Sequence, residues 1–407
     1  MISRNVKKFS LKVLKEFNKI LFVSGPRQSG KTTFSQMLLN NHFVQGKYLN
    51  WDIINHQKII IKNPYFFEEE NRDLKKDFLV IFDEIHKYNN WKNYIKGCYD
   101  GYKNEFKFIV TGSGRLDILK KGGDSLFGRY FAVNLFPFTL GELEKNNFVS
   151  WNDFINILTE GFESLNYYET LKQLLNLSGF PEPFLKSSET FYNIWSNERK
   201  KTIIREDIRN VYLIKDISNM EVLSSLLPDK IGAPLSINSL REDINASFDS
   251  IKKWLLILEH FYYFFRIKPY SKSFSRAIKK ESKIYLYDWV EIEDMAIRYE
   301  NLIAFHLYKA INLWTQMGYG NFELFFIRDK DKREVDFLIT KENKPVALIE
   351  AKYNDENISK NLLIFQEKLS VPFAIQVVNK REVLKKMKKN GFIQYVISAD
   401  NFLANLP

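Results

Sequence analysis

"GPRQSGKT", Gly25 to Thr32, stands between an apolar run, "ILFVS" (Ile20–Ser24), and a helix-forming stretch, "TTFSQMLLNN". It fits G-x-x-x-x-G-K-[ST] at every fixed position, in strand–loop–helix order. Glycines at 25 and 30 let the backbone turn tightly, so that successive N–H groups aim at one anion. The start of the following helix adds partial positive charge. The pattern predicts a triphosphate cradle built from Gly25, Pro26, Arg27, Gln28, Ser29 and Gly30. Lys31 would reach the β- and γ-phosphates, Thr32 would hold Mg²⁺, and Thr33 would lie by the α-phosphate. ATP and Mg²⁺ are the expected ligands.

Around this loop, residues 1–145 alternate short apolar runs with helical patterns, as a mostly parallel α/β sheet does. The runs are Ile20–Ser24, Tyr48–Asp52, Phe78–Asp83, Phe106–Gly112 and Tyr130–Leu135. Near-continuous Ile, Val, Leu and Phe fits strands covered on both faces. "LVIFDE" carries Asp83 to the C-terminal end of its strand, where ligands bind in open α/β sheets. Asp83 is the second expected Mg²⁺ ligand, and Glu84 is placed to deprotonate an attacking water. Hydrolysis is therefore the expected chemistry. "KFIVTGS" ends in Thr111 and Ser113, polar groups that could sense the γ-phosphate. Arg129, in "SLFGRYF", is a candidate transition-state arginine, within its own subunit or on a neighbour.

The chain has 407 residues, with 60 Lys and Arg against 49 Asp and Glu, for a formal charge of +11. Such length implies several domains, and the charge suits an anionic partner. With Cys98 the only cysteine, a disulfide-stapled fold is excluded and a reducing compartment is expected. No signal peptide and no span of ~18 apolar residues is visible. The expectation is a soluble cytoplasmic protein with no membrane partner.

Past residue 145 the pattern is helical to about 220, interrupted by "LSGFPEP". Residues 221–275 read as helix, turn, helix and an aromatic strand, a winged-helix-like segment. Lys252 and Lys253 near the start of the second helix, with Arg266 and Lys268 on the strand, are candidate nucleic-acid contacts. Residues 276–407 contain "REVDFLITKENKPVALIEAKY", which alternates as two strands about a polar turn. Pairing about Asn343 sets Asp336 opposite Glu350, with Lys352 emerging from the same face. Asp336 and Glu350 could hold a second Mg²⁺ or Mn²⁺, with Glu300 from the preceding helix as a further ligand. Lys352 could then steady a scissile phosphate. "NKREVLKKMKKNG" reads as a basic helix near the end of the chain.

"GPRQSGKTT", "FDEIHKYNNW", "FIVTGSG", "SLFGRY" and "PFTLGEL", in this order, resemble the bacterial and archaeal AAA-type (AAA_14) ATPases that carry a C-terminal DUF4143 domain. "RKKTIIREDIRN", "SKIYLYDWV", "YENLIAFHL" and "REVDFLI…ALIEAKY" extend the resemblance over nearly the whole chain. The resemblance implies a P-loop NTPase sheet of the AAA/ASCE type and a helical lid. It also implies a winged-helix unit. The order of Glu, Asp and E-x-K resembles the PD-(D/E)xK nuclease fold. "SGFPEP" looks like the Gly-x-Pro turn of signal-transduction ATPases, which would make Pro181 a nucleotide contact. The expected divisions are 1–145, 146–220, 221–275 and 276–407. The function so read is an ATPase whose nucleotide state controls a nuclease-like domain engaging nucleic acid, DNA ahead of RNA. The alternatives are a switch for a protein partner with an inert nuclease fold, and an ATP-licensed DNA endonuclease of defence or repair. An oligomer is compatible with each.

Overall fold

A computed structural model describes residues 2–112, 126–145, 147–209, 217–271 and 281–407. The chain forms two compact units where four divisions were expected. One comprises Ser3–Phe136 with His260–Tyr262; the other comprises Met1–Ile2, Pro137–Glu259 and Tyr263–Pro407. None of the helices among the described residues is long and apolar enough to cross a membrane.

In the first unit five parallel strands form one sheet: β1 (Ile20–Ser24), β2 (Gln45–Asn50), β3 (Phe78–Asp83), β4 (Phe106–Thr111) and β5 (Tyr130–Asn134). Their order is β2-β3-β4-β1-β5. Strands β1, β3 and β4 are buried at every position, which is why they read as unbroken apolar runs. A ring cluster of Phe22, Phe66, Phe67, Phe82, Phe106, Phe108 and Trp91 packs on the sheet. Strand β2 starts earlier than the apolar pattern indicates. It is an edge strand with only Leu49 buried, so Gln45 and Lys47 face water and disguise it.

The second unit is built on an eight-stranded mixed sheet. Its strands are β6 (Phe264–Pro269), β7 (Lys283–Leu286), β8 (Phe322–Arg328), β9 (Glu334–Lys341), β10 (Lys344–Lys352), β11 (Phe373–Val378), β12 (Leu384–Lys389) and β13 (Phe392–Ser398). They run in the order β12-β13-β11-β10-β9-β8-β6-β7. The helix-turn-helix expected in the middle is present as Ile237–Ile244 and Phe248–His260, turned by Asn245 in the left-handed region. Its expected wing is not separate: β6 pairs antiparallel with β7 and parallel with β8, so the hairpin extends the eight-stranded sheet. The segment read as a basic helix is β12, paired antiparallel with β13 and exposed throughout. Lysines along an edge strand oppose pairing with another chain, and they mimic a solvated helix face in sequence.

The 22-residue helix Met295–Gln316 is capped by Asp294, whose Oδ1 accepts from the Ala296 and Ile297 amides. It carries a fully buried imidazole. His306 Nε2 accepts from the Leu140 amide at 3.0 Å, and Nδ1 lies 2.8 Å from Leu302 O. That arrangement needs the neutral ring. Burial, with Lys309 nearby, pushes the His306 pKa from 6.5 down to about 3. Below pH 6.5 the unfolded chain takes up a proton that the folded chain refuses, so stability falls as pH drops toward 3. The second unit should lose roughly 1 kcal/mol per pH unit in that window. Thermal melts at pH 7 and pH 5 would measure the loss, and His306→Gln should shrink the pH dependence.

Candidate active site

At the mouth of the parallel sheet, Gly25 has φ +145°, and a Cβ there would stand 2.4 Å from Leu135 O. Gly30 has φ +90° at the N-cap of the helix Lys31–His42. Both positions need glycine. Arg4 braces the loop from outside, donating to Ser29 O at 3.0 Å and to Phe136 O. Lys31 is buried and folds back to donate to Pro26 O at 2.7 Å and Gly25 O at 3.1 Å. Its ammonium is thus held within the cradle it would share with phosphate oxygens. The buried Ser29 Oγ has no hydrogen-bond partner among the described residues. Thr32 and Thr33 stay exposed on the first helical turn, as does Gln28 at φ +62°, while Arg27 is half-buried.

Asp83 is buried at the end of β3 and ringed by donors. Thr32 Oγ1 donates to its Oδ2 at 2.7 Å, the Tyr48 hydroxyl at 2.6 Å and Asn50 Nδ2 at 3.4 Å. Thr111 Oγ1, from the adjacent β4, donates to Oδ1. Thr32 and Asp83, the two expected Mg²⁺ ligands, therefore meet across elements far apart in sequence. A partly exposed hydroxyl, a buried carboxylate and the neighbouring phosphate cradle fit Mg²⁺, which takes few protein ligands and completes its shell with phosphate and water. Tyr48, Asn50 and Arg4 escaped the sequence reading. Tyr48 and Asn50 alternate at the end of β2, and placing that strand's register correctly would have revealed them.

Glu84 follows Asp83 with φ +55°, a left-handed backbone that a non-glycine residue adopts at some cost. The turn lifts its carboxylate out of the strand line. Burial raises its pKa, against the opposing fields of Lys31 and Lys87. His86 Nε2 lies 3.6 Å and Lys87 Nζ 3.8 Å from Glu84 Oε2. A carboxylate of raised basicity beside the cradle suits proton removal from water.

For action within its own subunit, the reading of Arg129 requires a correction. Tyr130 pairs with Ile20 and Asn134 with Ser24, so Arg129 stands at the edge of the sheet opposite the phosphate loop. A five-residue strand is roughly 15 Å long, too far for the side chain to reach a γ-phosphate in its own subunit. Arg129 instead forks onto Asp100 at 2.7 and 2.9 Å. Ser113 falls in residues 113–125, outside the described residues. Pro181 opens the short helix Pro181–Lys186 in the second unit.

In the second unit, Glu342 and Asn343 form a two-residue turn, both at positive φ, as tight hairpins require. The first rung is Lys341 with Lys344, a register that by itself would set Asp336 beside Ile349. An irregularity between Pro345 and Ala347 shifts the pairing to Ile349–Phe337. Asp336 and Glu350 therefore come to the next rung, and the Ala351 amide donates to Asp336 Oδ2 at 2.9 Å. Burial, then Glu300 and Glu350, push the Asp336 carboxyl well above the usual range. Burial raises Glu350 too, against Lys352 at 2.8 Å.

The expected three-carboxylate metal site does not assemble. Among the described residues no three His, Cys, Asp or Glu side chains are arranged to hold a metal ion. Glu300 Oε1 instead accepts from the Tyr285 hydroxyl at 2.7 Å and lies 3.4 Å from Lys283 Nζ. The candidate nucleic-acid contacts are partly gathered. Lys252, Lys253 and Arg266 line a cavity of about 440 Å³, but Asp249 and Glu259 line it with them. Arg266 Nε donates to Glu259 at 2.8 Å. Lys268 lines a different cavity of about 270 Å³, shared with Arg266. This face is mixed in charge.

Comparison with known proteins agrees with the geometry. Residues 17–144 match an AAA domain family, AAA_14. Residues 168–289 match the domain of unknown function DUF8612, and residues 298–401 match DUF4143. The protein MJ1544 of Methanocaldococcus jannaschii is 25% identical over 364 residues, covering 86% of this chain and 78% of that protein. A protein of Haemophilus influenzae is 21% identical over 363 residues, covering 84% of each. Both are named as uncharacterized. Among solved structures, the Walker-type ATPase PABY2304 of Pyrococcus abyssi has a TM-score of 0.43 at 14% identity, over 73% of this chain and 96% of that one. Cdc6p from Pyrobaculum aerophilum scores 0.28 at 10% identity, over 75% of this chain and 95% of that one. Structural likenesses at these scores carry no weight for function. With its cradle and its paired Thr32 and Asp83 inside the segment that matches AAA_14, and a DUF4143 match at 298–401, the chain is similar to the AAA-type P-loop ATPases that carry a C-terminal DUF4143 domain.

Proposed function

We propose that the first unit hydrolyses ATP with Mg²⁺ and that its nucleotide state controls what the second unit binds. The observation that carries the reading is the meeting of Thr32 and Asp83 at 2.7 Å beside the phosphate loop, with Glu84 next in sequence. Loop amides and Lys31 would grip the β- and γ-phosphates. Thr32 and Asp83 would hold Mg²⁺, which when bound neutralises charge on the phosphate oxygens. The Thr111 and Tyr48 hydroxyls fix the Asp83 carboxylate, so little reorganisation is needed on loading. Glu84 would take the proton from the attacking water. Nucleic acid is the partner that the overall positive charge favours, DNA ahead of RNA. A second reading, a switch for a protein partner, is favoured by the acids set among Lys252, Lys253 and Arg266.

Hydrogen exchange tests the coupling. With Glu84→Gln to retain ATP, amides in residues 281–407 should change protection between the ATP-bound and ADP-bound chain. Identical exchange in both states would leave an ATPase with no control over its second unit.

A further inference from the structure

The carboxylate cluster of the second unit contains a lysine that the nuclease-like pattern does not call for. Lys283 opens β7, and its side chain is only 1% exposed. Its ammonium lies 2.6 Å from Glu334 Oε1 and 3.4 Å from Glu300 Oε1, with the Phe326 ring centroid 5.5 Å away. A buried ammonium is costly unless paired, so these carboxylates fix where it sits. The other acids are also met by the chain. Arg328 lies 3.7 Å from Glu334, and Lys352 lies 2.8 Å from Glu350. Tyr285 donates to Glu300, and the Ala351 amide donates to Asp336. Glu350 Oε2 is buried without a hydrogen-bond partner among the described residues.

We infer that Lys283 takes the place of the divalent cation in this cluster, so that the second unit keeps its nuclease-like hairpin without a metal site. The ground is the ammonium itself. An ion shared by Glu300 and Asp336 would have to sit a few ångströms from Lys283 Nζ, where charge repulsion in a buried site is strong. Without that ion the cluster lacks the Lewis acid on which metal-dependent phosphodiester cleavage relies. The inference deepens the proposed role of the second unit, and it stands or falls independently of the ATP site because its test uses no nucleotide.

The test is Mn²⁺ titration of the nucleotide-free full chain, read by calorimetry and by electron paramagnetic resonance. The wild type should show no Mn²⁺ uptake that Asp336→Asn abolishes. Lys283→Met should gain one Mn²⁺ site, tighter than the wild type by at least about tenfold, and should melt higher when Mn²⁺ is added. Adding Asp336→Asn to Lys283→Met should remove both gains. Asp336-dependent uptake by the wild type would overturn the inference, as would a folded Lys283→Met chain that gains no site. If Lys283→Met fails to fold, the comparison of wild type with Asp336→Asn still decides.

Discussion

Replacing Lys31 with alanine should lower ATP turnover by about 10³-fold, with the chain still folded. The ammonium is buried among backbone carbonyls of its own loop, an arrangement that only a small rearrangement converts into contact with phosphate oxygens. Removing it deletes the buried positive charge of the cradle where negative charge on the transferred phosphoryl group must be balanced. Helix Lys31–His42 buries Phe34, Met37 and Leu38 against the sheet independently of this side chain. Phosphate release by the purified variant measures the effect, and a melting curve confirms the fold. Turnover within a few-fold of wild type would remove Lys31 from the site.

Glu84→Gln should separate binding from chemistry. The amide keeps the size of the carboxylate and cannot accept the proton of water, so turnover should drop by about 10²–10⁴-fold while ATP stays bound. The pH profile supplies a second signature. Burial raises the Glu84 pKa, and the group acts only when ionised. The acid limb of turnover should therefore lie above the usual carboxylate range, with the rate rising as pH climbs through it. The Gln variant should lack that limb. A variant as active as wild type would assign the base elsewhere; one that no longer binds ATP would make Glu84 a structural support.

Much of the site is legible in the sequence because its parts are local. The cradle is a contiguous loop, and Asp83 with Glu84 ends a fully buried strand, so apolar runs mark both. The Asp336–Glu350 pairing is also anticipated, although by symmetry about Asn343. The chain reaches it through a tight turn and an irregularity near Val346, devices that leave little trace in composition. What stays hidden depends on topology. Arg129 looks well placed until parallel pairing puts the start of β5 at the far edge of the sheet. Tyr48 hides in a half-exposed edge strand. Lys283 lies on a strand far upstream of the hairpin whose acids it pairs with, and no local pattern connects them. Strand β12 misleads because lysine-rich sequence suits a solvated helix and a protected sheet edge equally well.

The central claim is that the loop at Gly25–Thr32 grips ATP through Lys31 and that Glu84 acts only afterwards, on water. Calorimetric titration of ATP with Mg²⁺ into the Lys31→Ala and Glu84→Gln chains, side by side with wild type, tests it most directly. Wild type and Glu84→Gln should each take up one ATP per chain, and Lys31→Ala should take up none at the same concentration. Equal uptake by all three, or none by the folded wild type, would contradict it.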